Sequence, residues 1–201
     1  MTNFEPSLRL HIDGDALVSN WRALDARSGA ARAGAAVKAN GYGLGAREVV
    51  TRLRDSGCRD FFVAHWGEAE CIADLIPPDW ISVLNGITQA DIAAARALGA
   101  IPVLNTPEQV ADWRNAGGGR CHVMLDIGIN RLGVAPDQAG LLADLDIDIL
   151  LSHLASADED VAQNSEQLGI FAETRSHISA QRYSLANSAG IMLGAEYHHD
   201  L

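Results

Sequence analysis

The chain has 201 residues, 48% of them hydrophobic, which is enough to fill one sizeable core but not the cores of two large domains. The 15 Lys and Arg residues are scattered among 26 Asp and Glu residues, and the formal net charge of −11 excludes nucleic acid as an expected partner. The first nine residues lack a basic segment followed by an apolar one, and no apolar run reaches about 18 residues, so neither secretion nor a membrane span is predicted.

In chain order, two elements precede any repeating pattern. Leu8–Ile12 is a possible strand, and Asp15–Arg27 is predicted to be a helix because its apolar residues fall on one face. Asp13 or Asp15 could cap the start of that helix. Residues 1–31 are therefore assigned to an N-terminal strand and helix.

From about residue 32 onward, a short strand-like run followed by a longer helical stretch repeats, and seven such units are predicted. Several runs, such as Asp148–Ser152, are nearly continuous apolar segments, as a parallel sheet buried on both faces requires. The pattern favours an α/β fold, either a (β/α)8 barrel that is one unit short or an open doubly wound sheet. The predicted strands are Ala33–Lys38, Asp60–Ala64, Trp80–Leu84, Ile101–Leu104, Cys121–Asp126, Asp148–His153 and Tyr183–Ala186. The predicted helices are Ala46–Ser56, Thr88–Leu98, Pro107–Ala116, Pro136–Leu145 and Asp160–Ala180.

Two polar clusters and the cysteines are not predicted to form sites. The acidic cluster of Asp144, Asp146 and Asp148 is expected to be a solvated loop that leads into a strand. His198–Asp200 offers two adjacent imidazoles that point apart and no further ligand, so no metal is predicted there. The cysteines lack the paired spacing of zinc ligands and are expected to be reduced thiols of a cytoplasmic protein. They are Cys58, Cys71 and Cys121.

The most informative segment is Ala36–Gly45, in which a strand ends at Lys38 and opens into a loop with three glycines. Catalytic side chains of a barrel collect at the C-terminal ends of its strands. Burial there lowers the pKa of an amine and favours the neutral nucleophile that imine chemistry needs. The glycines allow backbone to approach a ligand, and Tyr42 can offer its hydroxyl to a phosphate. Taken alone, however, Lys38 fits better as a surface lysine ahead of a helix.

Three later strand ends carry further candidates. Arg131 has the fork geometry that suits an oxyanion, and His153 ends an apolar strand. Asn187 and Ser188 open the last apolar run, where free backbone N–H groups suit a phosphate. Each also has a structural explanation, as a solvated loop arginine, a hydrogen-bonded core histidine and a helix N-cap.

Four segments, taken in order, resemble the sequence landmarks of the alanine racemase family. Val37–Gly43 (VKANGYG) is similar to the family's pyridoxal-phosphate signature, which usually has alanine in place of Gly41. Asp126–Gly133 resembles the loop whose arginine touches the phenolic oxygen of the cofactor. Ser152–Asp158 is similar to the segment whose histidine lies against the cofactor ring, and Ala186–Ala189 resembles the phosphate-binding turn.

The resemblance implies a (β/α)8 TIM-barrel-like domain, seven of whose eight units are identifiable in this chain. It assigns residues 32–201 to a barrel that binds pyridoxal 5′-phosphate and is incomplete at its C-terminus. Lys38 is implied to form a Schiff base with the cofactor and to act as a catalytic acid and base. The cofactor-binding residues that the resemblance implies are Lys38, Tyr42, Arg131, His153, Asn187 and Ser188.

The activity implied by the resemblance is that of an isomerase, alanine racemase, which interconverts L-alanine and D-alanine through a Schiff base of pyridoxal phosphate in D-alanine biosynthesis. The family form is expected to be a cytoplasmic homodimer in which a tyrosine from the partner's C-terminal domain is the second base. On this view the present chain is a shortened form. The alternative is a non-catalytic pyridoxal-phosphate-binding or homeostasis protein, because a lone barrel could hold the cofactor without a second base.

One position departs from the family's pattern in a way that affects Arg131. Many members have a carbamylated lysine two residues before Asp126, where this chain has Met124. Methionine cannot supply an anionic acceptor, so Arg131 is predicted to be less firmly oriented than its family counterpart.

Overall fold

The fold is built on one sheet of seven parallel strands, which follow each other in space in the same order as along the chain. The computed structural model describes residues 8–201. Because each strand pairs with its successor and the connections carry helices, the sheet curls into most of a barrel, and the predicted α/β fold with seven units is confirmed. The strands are β1 (Ala35–Ala36), β2 (Phe61–Val63), β3 (Ile81–Val83), β4 (Ile101–Leu104), β5 (Arg120–Met124), β6 (Asp146–Leu151) and β7 (Arg182–Ser184).

Helices occupy most of the connections between strands. In the described part of the chain, no helix is both long enough and apolar enough to cross a membrane. The α-helical segments are α1 (Gly14–Arg27), α2 (Lys38–Tyr42), α3 (Ala46–Asp55), α4 (Trp66–Ile72), α5 (Ile92–Leu98), α6 (Pro107–Asn115), α7 (Ala162–Arg175) and α8 (Gly190–Leu193). The 3₁₀ helices are Pro78–Trp80, Pro136–Leu142 and Ala195–Tyr197.

Local sequence explains why individual helices begin where they do. The Thr106 side chain accepts a hydrogen bond from the backbone N–H of Gln109, and Pro107 occupies the first turn, where its missing N–H costs nothing. At α1 the cap is Asp13, which accepts hydrogen bonds from the N–H groups of Asp15 and Ala16. Of the two predicted caps, Asp13 is therefore the one that the structure selects.

Apolar side chains cover both faces of the sheet, as the continuous apolar strands predicted. Between the sheet and the helices lie two clusters of buried residues, one over β1 to β3 and one over β4 to β7. A smaller cluster fills the inside of the curl, where Val103, Met124, Ile149 and Leu151 meet. Side chains therefore fill the inside of the curl, as they do in closed barrels of this kind.

The N-terminal segment differs from the prediction. Leu8–Ile12 forms no strand, and no strand of the described chain pairs with it. Leu8 and Leu10 are 87% and 71% exposed, so this segment has no sheet to pack on. Two predicted helices also change: the helix expected from Thr88 begins at Ile92, and the one expected at Pro136–Leu145 is a 3₁₀ helix.

The prediction that Asp148 belongs to a solvated loop is wrong. Asp148 lies within β6, is 1% exposed, and pairs with two arginines inside the N-terminal end of the curled sheet. Arg182 approaches it with two nitrogens, at 3.0 and 3.1 Å, and Arg120 with one at 2.6 Å. Arg182 also donates to Asp60 at 2.7 Å. An acidic residue in a strand is tolerated here only because these partners neutralise it.

The last two residues lie between β7 and the segment that leads into β1. The backbone N–H groups of Asp200 and Leu201 donate to the carbonyl oxygen of Tyr183, at 2.9 and 3.2 Å. The carbonyl oxygen of Asp200 accepts from the N–H of Arg32 at 3.1 Å. Residues 200–201 thus connect the last strand to the segment that leads into the first strand.

Candidate functional site

An open cleft of about 380 Å³ extends from α1 and the segment that leads into β1 to the C-terminal ends of the strands. Its volume falls within the range of sites that hold small molecules. Three strand ends contribute to it: Lys38 and Tyr42 after β1, His153 after β6, and Asn187 and Ser188 after β7. The structure therefore brings five of the six predicted site residues to one cleft.

Lys38 begins a short turn, α2, whose backbone conformation is unusual. Ala39, Asn40 and Gly41 have φ angles of 51°, 53° and 65°, which belong to the left-handed region. The N–H of Ala39 donates to the Glu68 carboxylate at 2.7 Å, so the turn is tied to α4. The Lys38 side chain is half-buried, and its amine makes no hydrogen bond or ion pair with any residue in 8–201.

The sequence contains a signal at this position that motif reasoning did not use. Lys38 is the single lysine of the chain, and all the other members of the set of 15 basic residues are arginines. An arginine stays protonated at any physiological pH and cannot act as an amine nucleophile. The one side chain able to form an imine is thus the one that the fold places at the cleft.

His153 faces the cleft as a neutral ring with a defined tautomer. Its Nδ1 lies 2.7 Å from the carbonyl oxygen of Leu154, and because a carbonyl can only accept, Nδ1 carries the proton. Burial lowers the pKa of His153, and the positive charges of Arg131 and Lys38 lower it further, against the effect of the Leu154 hydrogen bond. Nε2 is therefore unprotonated at neutral pH.

The turn after β7 presents unsatisfied backbone donors. The Asn187 carboxamide oxygen accepts from the N–H of Gly190 at 2.8 Å, which closes the turn. The N–H groups of Ser188 and Ala189 have no acceptor within residues 8–201, and both precede α8. A phosphate fits such a turn, because two free N–H groups point outward beside a side chain that is already engaged.

Arg131 is the one predicted site residue that does not line the cleft. It is exposed on the loop after β5, and its guanidinium makes no hydrogen bond or ion pair in the described chain. The loop itself is ordered by Asp126, whose carboxylate accepts from the N–H groups of Gly128 and Asn130 at 2.9 and 3.0 Å. Met124 lines the cleft and offers no anion that could draw Arg131 inward.

We expect Gly133→Ala to destabilise the Arg131 loop. Gly133 has a φ of +138°, and a Cβ at this position would collide with the backbone of Leu125 and Asp126. The combined strain predicts a loss of about 1–3 kcal/mol in the free energy of unfolding, measured by urea denaturation. Gly140→Ala is the matched control because no heavy atom lies within 4 Å of its Cβ position. Equal stabilities of the two variants would contradict the prediction.

Two parts of the site were missed by sequence reasoning. One is the apolar wall of the cleft, to which Phe62 of β2, Leu84 directly after β3 and Leu151 of β6 contribute. Alternation near the strand ends could have indicated these residues. The other is Glu68, whose bonding partners are backbone amides 4 and 29 residues away in the chain. No spacing rule identifies such a contact.

Comparison of the sequence with known protein families gives one match across almost the whole chain. The profile of the family described as "Alanine racemase, N-terminal domain" matches residues 12–201. An alanine racemase of Rhodospirillum rubrum is 42% identical over 208 residues, covering 96% of this chain and 55% of the relative. One of Methylobacterium nodulans is 40% identical over 205 residues, with the same coverage. The chain thus spans about half the length of the curated relatives it matches.

Solved structures give the same result at the level of the fold. The alanine racemase of Bartonella henselae, solved with covalently bound pyridoxal phosphate, aligns with a TM-score of 0.89 and 31% identity. It matches 94% of this chain and 59% of its own length. The biosynthetic alanine racemase of Pseudomonas aeruginosa aligns with a TM-score of 0.82 and 31% identity, over 92% of this chain and 55% of its own.

Proposed function

Since the chain belongs to the family of alanine racemase N-terminal domains, we propose that its cleft binds pyridoxal 5′-phosphate and serves the interconversion of L-alanine and D-alanine. The observation that carries the proposal is the meeting of Lys38, His153 and the Asn187–Ser188 turn at one cleft. An amine, a neutral ring and free N–H donors match the aldehyde, the pyridine ring and the phosphate of this cofactor.

Each residue has a role that follows from its surroundings. Bound pyridoxal phosphate acidifies the α-proton of an amino acid by delocalising the charge left on the α-carbon. We assign the covalent bond to the cofactor and the proton transfer at the α-carbon to the Lys38 amine, which has no competing partner within residues 8–201. The Ser188 and Ala189 N–H groups and the Tyr42 hydroxyl would hold the phosphate, and His153 would lie against the pyridine ring.

Arg131 is assigned to the phenolic oxygen of the cofactor, although it does not line the cleft in this structure. Its positive charge already lowers the pKa of His153, which supports a place near that ring. Met124 supplies no anion that could orient the Arg131 guanidinium, so the cofactor's own oxygen is the acceptor that we assign to it.

The identity of the substrate and partners rests on the relatives. Alanine as substrate, D-alanine biosynthesis, a homodimer and a cytoplasmic location are proposals supported by the names of the relatives and by the four motifs. Apart from Tyr42, no tyrosine of the described chain lines the cleft. Tyr183 donates to the Ile178 carbonyl oxygen, and Tyr197 is buried in the core. This supports a second base supplied by a partner subunit.

The same observation favours an alternative, a protein that binds pyridoxal phosphate without catalysis, because racemisation needs a base on each face of the α-carbon. Exchange of the α-proton of alanine in heavy water separates the two. For a racemase, both L-alanine and D-alanine should exchange at least about 100-fold faster than with free pyridoxal phosphate. The measurement is proton NMR, and free cofactor at equal concentration is the control. If the chain binds the cofactor but the α-proton of neither enantiomer exchanges, the racemase proposal is wrong.

A further inference from the structure

We propose that Glu68 is a positioning residue that fixes the backbone of the Lys38 turn and thereby holds the Lys38 amine where it can bond to the cofactor. The inference rests on the proposed function, since positioning matters only if Lys38 carries the cofactor. Glu68 stands on α4, which follows β2, and does not line the cleft. Its role is therefore exerted through the backbone and involves no contact with the ligand.

The Lys38 turn needs external support because of its backbone conformation. Ala39 and Asn40 have φ angles of 51° and 53°, and Tyr42 follows with 55°. Side chains with a Cβ rarely adopt this region, and several successive residues there persist only when the surroundings fix them. The turn is stabilised from inside by the N–H of Gly41, which donates to the Val37 carbonyl oxygen at 2.8 Å.

Glu68 supplies the support from outside the turn. One carboxylate oxygen accepts from the N–H of Ala39, the residue directly after Lys38, at 2.7 Å. The other accepts from the N–H of Ala64, directly after β2, also at 2.7 Å. The side chain is 18% exposed, so water competes little for these two bonds. The carboxylate thus ties the residue after Lys38 to the rigid end of the neighbouring strand.

Positioning of the Lys38 turn affects the formation of the C=N bond between Lys38 and the cofactor. The neutral amine of Lys38 attacks the aldehyde carbon of pyridoxal phosphate, a C=N bond forms, and the aldehyde oxygen leaves as water, with no net oxidation. The reaction is favoured when the amine is held near the carbon before the attack. The Asn187–Ser188 turn and His153 follow other strands, so of the groups assigned to the ring and the phosphate only Tyr42 lies on the turn that Glu68 fixes.

The test compares Glu68→Gln with Glu70→Gln in the full chain. The first change replaces one acceptor oxygen by an NH₂ group that cannot accept from Ala39 or Ala64. The second removes the same charge from an exposed residue of the same helix. Attachment of pyridoxal phosphate is measured by borohydride reduction and intact mass over a range of cofactor concentrations. We expect Glu68→Gln to attach the cofactor about tenfold more weakly and Glu70→Gln to match the wild type.

A second ligand separates positioning from general damage to the site. Pyridoxamine 5′-phosphate has the ring and the phosphate but no aldehyde, so it binds without involving the Lys38 bond. We expect its affinity to fall clearly less in Glu68→Gln than the affinity for pyridoxal phosphate, since Tyr42 is the one phosphate-binding group assigned to the Lys38 turn and the other ring and phosphate groups lie after β6 and β7. Equal weakening of both ligands, or of neither, would overturn the assignment of Glu68 as a positioning residue.

Hydrogen exchange provides a readout that needs no cofactor. In the wild type, the Ala39 amide should exchange at least about tenfold more slowly than the Ser188 amide, which has no protein acceptor within residues 8–201. Equal rates would contradict the inference even if Glu68→Gln failed to fold. If the wild type shows this protection but does not attach pyridoxal phosphate, the proposed function fails while the contact itself stands.

Discussion

Replacing Lys38 with alanine is expected to abolish covalent attachment of pyridoxal 5′-phosphate completely. Lys38 is the chain's single lysine, so no second side-chain amine can take its place. Borohydride reduction followed by intact mass should show one cofactor per wild-type chain and none on the variant. Peptide mapping should place the wild-type adduct on Lys38. The effect is all-or-none because an arginine, the only other basic side chain apart from histidine, remains protonated.

Two controls decide whether this loss is chemical rather than structural. Lys38→Arg keeps the positive charge but cannot form the bond, so it should also lack the adduct. Because the Lys38 amine has no protein partner in the described chain, both variants should keep the wild-type free energy of unfolding within about 0.5 kcal/mol. An adduct that persists on Lys38→Ala, or a wild type without any adduct, would refute the assignment.

The fold could be predicted because the chain obeys local rules where the sheet is buried. Ile101–Leu104 was predicted with its observed bounds, since a fully buried apolar run follows Gly99 and precedes the cap and proline of α6. In Leu8–Ile12, apolar and polar residues alternate as they do in a half-buried strand, but the segment forms no strand. The periodicity of a segment shows which of its faces is apolar. It does not show whether the folded chain provides a partner strand.

In the candidate site, too, local sequence patterns predicted some positions, whereas others depend on how the chain folds. Lys38, His153 and Asn187 could be placed together from sequence because the C-terminal ends of parallel strands meet at one edge. The position of Arg131 could not be predicted from the sequence, since it depends on how far a long loop reaches toward the cleft. Asp148 was misjudged because its neutralising arginines come from β5 and β7. Pairing of that kind is visible only once the sheet is assembled.

A second large effect is expected at acidic pH, where His122 should make the folded protein sensitive to acid. His122 lies in β5, is 1% exposed and accepts a hydrogen bond at Nδ1 from the backbone N–H of Ile149, at 3.1 Å. Nε2 must therefore carry the proton, which it donates to the Ser82 hydroxyl at 3.0 Å. Both ring nitrogens are engaged in the neutral form, and protonation would break the bond to Ile149.

The direction of the pH effect follows from the pKa of His122 in the folded protein and in the unfolded chain. The pKa of His122 is lowered to about 3. Burial is the main cause, the charges of Arg182 and Arg120 act in the same direction, and the negative charge of Asp148 opposes them. In the unfolded chain this histidine titrates near its ordinary value of about 6.5. Between these values the unfolded state binds more protons, so the free energy of unfolding falls as the pH falls, by up to about 1.4 kcal/mol per pH unit. Across the whole window the loss is on the order of 5 kcal/mol, a large part of the roughly 5–15 kcal/mol of a typical domain.

Asp148 extends the effect to lower pH. Burial on its own raises the pKa of this carboxyl, but the hydrogen bonds and charge of Arg182, with the charge of Arg120, hold it below its usual value. A carboxyl with a lowered folded pKa stabilises the protein above its unfolded value of about 3.9 and loses that stabilisation as the pH falls further. Between about pH 6.5 and 4, of these two groups, the slope should therefore come from His122.

Urea unfolding of His122→Asn at several pH values between 7 and 4.5 isolates this contribution. The Asn carboxamide oxygen can still accept from Ile149, but the side chain does not titrate and loses the bond to Ser82. We expect a loss of about 1–3 kcal/mol at pH 7 and a clearly shallower decline of stability toward pH 4.5. His177→Asn, at an exposed histidine without a side-chain hydrogen bond in residues 8–201, should keep the wild-type slope. If His122→Asn kept that slope as well, acid sensitivity would have to arise elsewhere than in the buried ring.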